Sequence, residues 1–326
     1  MSAPDPAPAP ASRRRALRRL PPVGRRSAPV IALLTVGLVG PQAAAVPIVP
    51  PRIDVSGPRL PADGARGLGV ESARLQPGFE GRLTAFAVGQ PLVWIGEDGE
   101  RVEALSTVAG ASGSMAATLG PVRAALSLPV FSALAGDDRP VGGAVGDPGL
   151  DLKARLLDRE ALALAAIGRG TVPAGAAAQA VGSDGPTGEL GLAAAVGAGP
   201  WGGAAQLGYR LLPRVAGGED DLHEDVYDDR LRLNLGLSWV GAGEAAPALS
   251  LELLSERQLN ELGVAWRGSP AELLLGGQWS PRGPKGPRLR GGLGAGLSPG
   301  VGAPVWRLML GVGAQAPLPT LGPPSP

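Results

Sequence analysis

The sequence predicts an all-β chain, an antiparallel transmembrane β-barrel of about 12–14 strands. Three observations lead there. An export signal opens the chain. Apolar residues then recur with period two through segments of roughly 9–12 residues, the length a tilted strand needs to cross a bilayer. The face opposite the apolar one carries Gly and scattered charges, where a water-facing sheet would carry Lys, Glu and Thr.

Residues 1–45 read as a secretory signal peptide. Arg13, Arg14, Arg15, Arg18, Arg19, Arg25 and Arg26 form a positive region, an apolar run follows from Ala28 to Val39, and Ala43-Ala44-Ala45 offers a small-residue cleavage site. The apolar run is too short for a spanning helix. Cleavage before Val46 would remove seven Arg and Asp5, taking the formal charge from +1 to −5. Residues 46–78 are a lead-in rich in Pro and Gly, read as extended and weakly structured.

Residues 79–316 are assigned to the barrel. The clearest strand is 230–240. There Leu231, Leu233, Leu235, Leu237 and Trp239 share one face, and Arg230, Arg232, Asn234, Gly236 and Ser238 the other. At 44% hydrophobic residues, such an alternation arises by chance about once in a thousand windows. It recurs in 122–130, 150–156, 201–211, 288–297 and 304–316. Gly-Pro pairs at 120–121, 199–200 and 283–284 punctuate the strands. Trp94, Trp201, Trp239, Trp266, Trp279 and Trp306 lie mostly near strand ends, where a membrane-interface belt would place them, although 3% aromatic residues cannot complete two girdles. On this phase Leu235→Arg is expected to block assembly and Arg232→Leu to be tolerated. Residues 317–326 are a Pro-rich tail.

The lumen-facing charges predicted by this phase are Lys153, Arg155, Glu189, Arg210, Arg232, Glu252, Glu272, Arg290 and Arg307. They either line an aqueous path and bias its selectivity, or pair with one another and fill the interior. Zero Cys removes disulfides and thiolate chemistry, and a single His removes multi-His metal clusters. Gly197-Ala198-Gly199-Pro200-Trp201-Gly202 matches a dinucleotide-binding string, but a strand follows it rather than a helix, so a hairpin turn is expected. Seven carboxylates between Glu219 and Asp229 surround His223 and read as a solvated loop, with divalent-cation binding as the minor alternative. No catalytic residue, cofactor or metal site is assigned, and the chain is not read as an enzyme.

Two segments carry a family resemblance. Residues 146–157, from Gly146-Asp147-Pro148-Gly149 to Leu156-Leu157, are similar to a strand of transporter-like outer-membrane barrels. Residues 296–307, ending in Pro304-Val305-Trp306-Arg307, resemble the last hairpin of the barrel region in OmpA-family proteins. The resemblance implies an outer-membrane barrel in a Gram-negative envelope. In that family a Pro-rich linker often leads to a peptidoglycan-binding domain, whose recognition motif has no counterpart here, so cell-wall anchoring is not carried over. The function expected is porin-like or transporter-like passage of small solutes. The alternatives are a structural envelope barrel without an open pore, or a soluble β-sandwich binding module. Expected partners are outer-membrane lipid, the barrel assembly machinery, periplasmic chaperones and a small-molecule solute. The near-even charge gives no reason to expect nucleic acid.

Overall fold

A computed structural model of the chain describes residues 68–95, 101–135, 143–175, 183, 185–212, 229–243, 245–258, 270–281, 286–298 and 304–317. The leader, most of the lead-in, His223 with most of the acidic segment, and Trp266 lie outside the described residues.

Among the described residues thirteen strands appear in chain order: β1 (Gly78–Ile95), β2 (Arg101–Leu119), β3 (Val122–Ala135), β4 (Ala144–Val145), β5 (Gly149–Asp158), β6 (Leu162–Thr171), β7 (Thr187–Ala198), β8 (Trp201–Leu211), β9 (Arg230–Val240), β10 (Ala248–Gln258), β11 (Ala271–Trp279), β12 (Arg288–Ser298) and β13 (Trp306–Ala316). Each pairs antiparallel with its neighbours, and β13 returns to pair with β1, from Phe79↔Ala316 to Gly89↔Trp306. The ring is closed by twelve strands, because β4 is a short addition beside β3 at Val130↔Val145 and Phe131↔Ala144, while β5 pairs with the rest of β3. A single sheet closed on itself excludes the two-sheet sandwich. Most strands have 9–12 residues, but β1, β2 and β3 reach 18, 19 and 14. An eleven-residue strand such as β9 is about 37 Å long. Tilted about 40°, it rises roughly 28 Å, matching a hydrocarbon core.

The ring has two unlike ends. At one end lie the start of β1, the end of β13 and the turns 120–121, 159–161 and 199–200. We call this the turn end. Its Gly-Pro turns follow from backbone sterics: Gly120 and Gly199 have φ of +58° and +59°, and a type II′ hairpin needs a positive φ at its first central residue. The dinucleotide-like string is therefore the β7–β8 hairpin. The opposite end, the loop end, carries the longer connections, including 172–186 and 212–229.

The predicted phase holds. Leu126, Leu190 and Leu293 are 64%, 66% and 62% exposed on the outer face, and Leu233, Leu235, Leu237, Leu308 and Leu310 join them. A water-soluble protein would not leave so continuous an apolar surface uncovered. Trp201, Trp239 and Trp279 stand at the turn end, and Trp94 and Trp306 at the loop end. The inner face carries buried Arg, Glu, Gln and Asn with Gly between them. Among the described residues no helix is present, and none is long and apolar enough to cross a membrane.

Candidate functional site

The lumen is the site, and it is not empty. Residues 68–77, the described part of the lead-in, form no strand and run inside the barrel as a strap. The strap starts at the turn end, where the Pro77 carbonyl accepts from Gln315 Nε2 at 3.1 Å. Gln76 Oε1 accepts from both terminal nitrogens of Arg288, at 3.1 and 3.2 Å. Arg74 grips the β5–β6 turn, donating to the Glu160 carbonyl at 2.6 Å and pairing with Asp158 at 3.4 Å. Ala73 then packs on Ala163, Ala165, Ile167, Ala193 and Ala195 of β6 and β7.

Farther in, polar contacts hold the strap. Glu71 is 1% exposed, and its carboxylate accepts from Lys153 Nζ and Arg169 Nη2. Lys153 also donates to the Ser72 carbonyl at 2.8 Å. The backbone N–H groups of Leu68, Gly69 and Val70 all donate to the Glu252 carboxylate, at 2.7, 2.7 and 2.8 Å. Three amides on one carboxylate satisfy a buried charge without a cation, and they satisfy strap amides that have no strand partner. Leu68 ends the described segment in an apolar cluster with Leu274 and Met309, against Phe86. Gly276 and Gly292 make this seat, since a Cβ on either would collide with the Leu68 side chain.

The wall charges are knitted into ion pairs. Arg169 Nε meets Asp151 at 2.7 Å, and its Nη1 lies 3.7 Å from Glu189. Glu189 accepts from Arg232 at 2.7 Å and from Gln206 Nε2 at 3.1 Å. Arg232 Nε also donates to Glu256 at 2.9 Å, and Glu256 lies 3.6 and 3.5 Å from Arg210 and Arg230. Asn234 Nδ2 extends the network to Gln206 at 3.3 Å. A second group sits near the turn end, where Glu80 takes Arg123 at 2.8 Å and Arg82 at 3.2 Å, in the field of Arg290. A third joins Glu272 to Arg307 at 2.8 Å, near the loop end. Buried as these side chains are, each charge needs its partner, because an unpaired buried ion costs several kcal/mol.

Eight of the nine predicted charges therefore lie inside: Lys153, Glu189, Arg210, Arg232, Glu252, Glu272, Arg290 and Arg307. Arg155 stands on the inner face too, opposite the inward Ala165, but at the rim. Its side chain is 37% exposed at the turn end and pairs with Asp158 at 3.2 Å, next to a register shift between Arg155 and Leu157. The structure brings together Lys153, Glu189, Arg210 and Arg232 in one network and leaves Glu252, Glu272, Arg290 and Arg307 outside it. Sequence reasoning missed Glu71, Glu80, Arg82, Arg123, Arg169 and Glu256. Alternation could have found Arg123, which faces inward between Val122 and Ala124; Glu71 carries no local signal.

The fold is similar to solved outer-membrane structures. An outer membrane channel from Pseudomonas putida F1 covers 74% of this chain and 97% of its own length, with a TM-score of 0.54 at 16% identity. The NanC porin covers 73% and 100%, with a TM-score of 0.46 at 9% identity. The beta domain of the Bordetella autotransporter BrkA covers 73% and 99%, with a TM-score of 0.42 at 13% identity. The first of these likenesses establishes the barrel fold; the two lower scores add nothing to it. No protein-family model matches the chain, and no curated protein matches it.

Proposed function

We propose that this chain is an outer-membrane barrel that passes small solutes in a porin-like manner, with residues 68–77 as its internal constriction. One observation carries the reading: a closed ring, apolar outside and ion-paired inside, contains a strap that shares no strand pairing with the wall. Such a strap can move without breaking the barrel's own ladder. The likeness to an outer membrane channel supports the same reading. The function is passage rather than catalysis, in the outer membrane, with lipid around the barrel and assembly machinery and periplasmic chaperones on its route. Kinship with OmpA-family barrels rests on residues 146–157 and 296–307 alone and is part of this proposal. There Asp147 accepts from Ser183 N–H and from Ser183 Oγ, both at 2.7 Å, which accounts for the Gly-Asp-Pro-Gly string as the anchor of the 172–186 connection.

The filled interior favours a second reading, a structural envelope barrel with no open pore. Conductance in a planar bilayer separates the two. The chain lacking residues 46–77 is expected to conduct several-fold more than the full chain. If neither conducts, the structural reading stands and the passage reading falls.

A further inference from the structure

We propose that the Lys153–Arg169 pair is a binding site for the carboxylate of a small solute, and that Glu71 of the strap is its resting occupant. The inference rests on the passage reading and names the class of solute.

Lys153 and Arg169 come from adjacent strands, and both are buried, at 3% and 7% exposure. Their shared acceptor is a carboxylate that the wall does not supply. Glu71 arrives on a strap outside the sheet, more than eighty positions away in the chain from either cation. Wall carboxylates meet Arg169 at its other nitrogens, Asp151 at Nε and Glu189 near Nη1, while Glu256 goes to Arg232 with Arg210 and Arg230. Losing Glu71 takes one carboxylate from both Lys153 and Arg169, two buried cations on adjacent strands. Removing a shared anion from buried cations is unfavourable until another anion replaces it. The strap therefore leaves most readily when a solute carboxylate takes its place. Glu71 competes from within the same chain, so it lowers the apparent affinity for any solute by the fraction of time it holds the site. The Ser72 carbonyl, which also accepts from Lys153, moves out with it and returns a donor to the site.

The test uses the full mature chain folded in detergent, with acetate as the probe and acetamide as its neutral control. Calorimetry is expected to show acetate binding Glu71→Ala about tenfold or more tighter than the wild type. Acetate should also raise the temperature at which the compact gel band of Glu71→Ala is lost, and acetamide should do neither. Adding Lys153→Gln to Glu71→Ala should abolish the acetate effect. Equal acetate affinity in wild type and Glu71→Ala, no binding by Glu71→Ala, or equal binding of acetamide would each overturn the site. If Glu71→Ala fails to assemble, Glu71→Gln is read by the same measurements and limits. Conductance is read separately. Tight acetate binding by a barrel that conducts nothing without its strap removes the passage reading and keeps the site; conductance without binding does the reverse.

Discussion

Arg232 and Leu235 lie three positions apart on β9 and face opposite media. Leu235 is 42% exposed on the lipid-facing side, where an Arg near the midplane costs about 2–4 kcal/mol. Leu235→Arg is expected to reduce assembly, measured as the yield of the compact, heat-modifiable band. Arg232 is 4% exposed and holds both Glu189 and Glu256. Tolerance of Arg232→Leu does not survive this geometry. The substitution would leave two buried carboxylates short of a partner, at a cost of roughly 3–5 kcal/mol. We expect Arg232→Leu to lower the unfolding midpoint in urea clearly, and Arg232→Lys to lower it less. Wild-type stability in Arg232→Leu would mean that the network contributes nothing to the fold.

At the scale of the element, the strap explains the glycines of the inner face. Part of that Gly content makes room for a piece of chain. Gly276 and Gly292 face Leu68 from neighbouring strands, and side chains at these positions would occupy the volume Leu68 fills. Gly292→Val is expected to cost about 1–3 kcal/mol by overpacking, and the cheapest relief is to expel the strap rather than bend the ring. Because the chain has no Cys, Val70→Cys can report this. Val70 is 3% exposed, so a membrane-impermeant maleimide should label that position slowly in the otherwise wild-type barrel. Adding Gly292→Val should raise the labelling rate several-fold. An unchanged rate would mean that the strap stays seated against the larger side chain.

At the scale of the whole molecule, closure depends on the seam between β1 and β13. These strands lie at opposite ends of the barrel sequence and pair over eleven positions. Removing residues 306–317 would leave β1 and β12 as open edges, and unpaired backbone groups have no partner inside a bilayer. The truncated chain is therefore expected to give no compact band and no protease-protected form in liposomes. A twelve-strand ring lies between the eight-strand barrels that side chains fill and the rings of 16–18 strands that leave an aqueous channel, and this one holds a strap and a set of Arg and Glu side chains.

The alternation of β3, β5, β8, β9, β12 and β13 is local, so the sequence by itself determined their existence, their lipid face and the inward side of charges such as Lys153, Arg210, Arg232, Arg290 and Arg307. β6 was hidden because Ala163, Ala165 and Ala166 place similar side chains on both faces, leaving no contrast for period two to reveal. Arg169 was lost with it. Arg155 keeps the inner phase, but the turn beside it leaves its side chain at the rim, a depth that alternation cannot register. The contents of the lumen were decided only by the tertiary structure. Glu71 reaches Lys153 across 82 positions of chain, and the amides of Leu68–Val70 reach Glu252 across 182 to 184. No periodicity links residues so far apart. They meet because the ring closes, and because its buried inner charges and amides are satisfied by the part of the chain that lies within it.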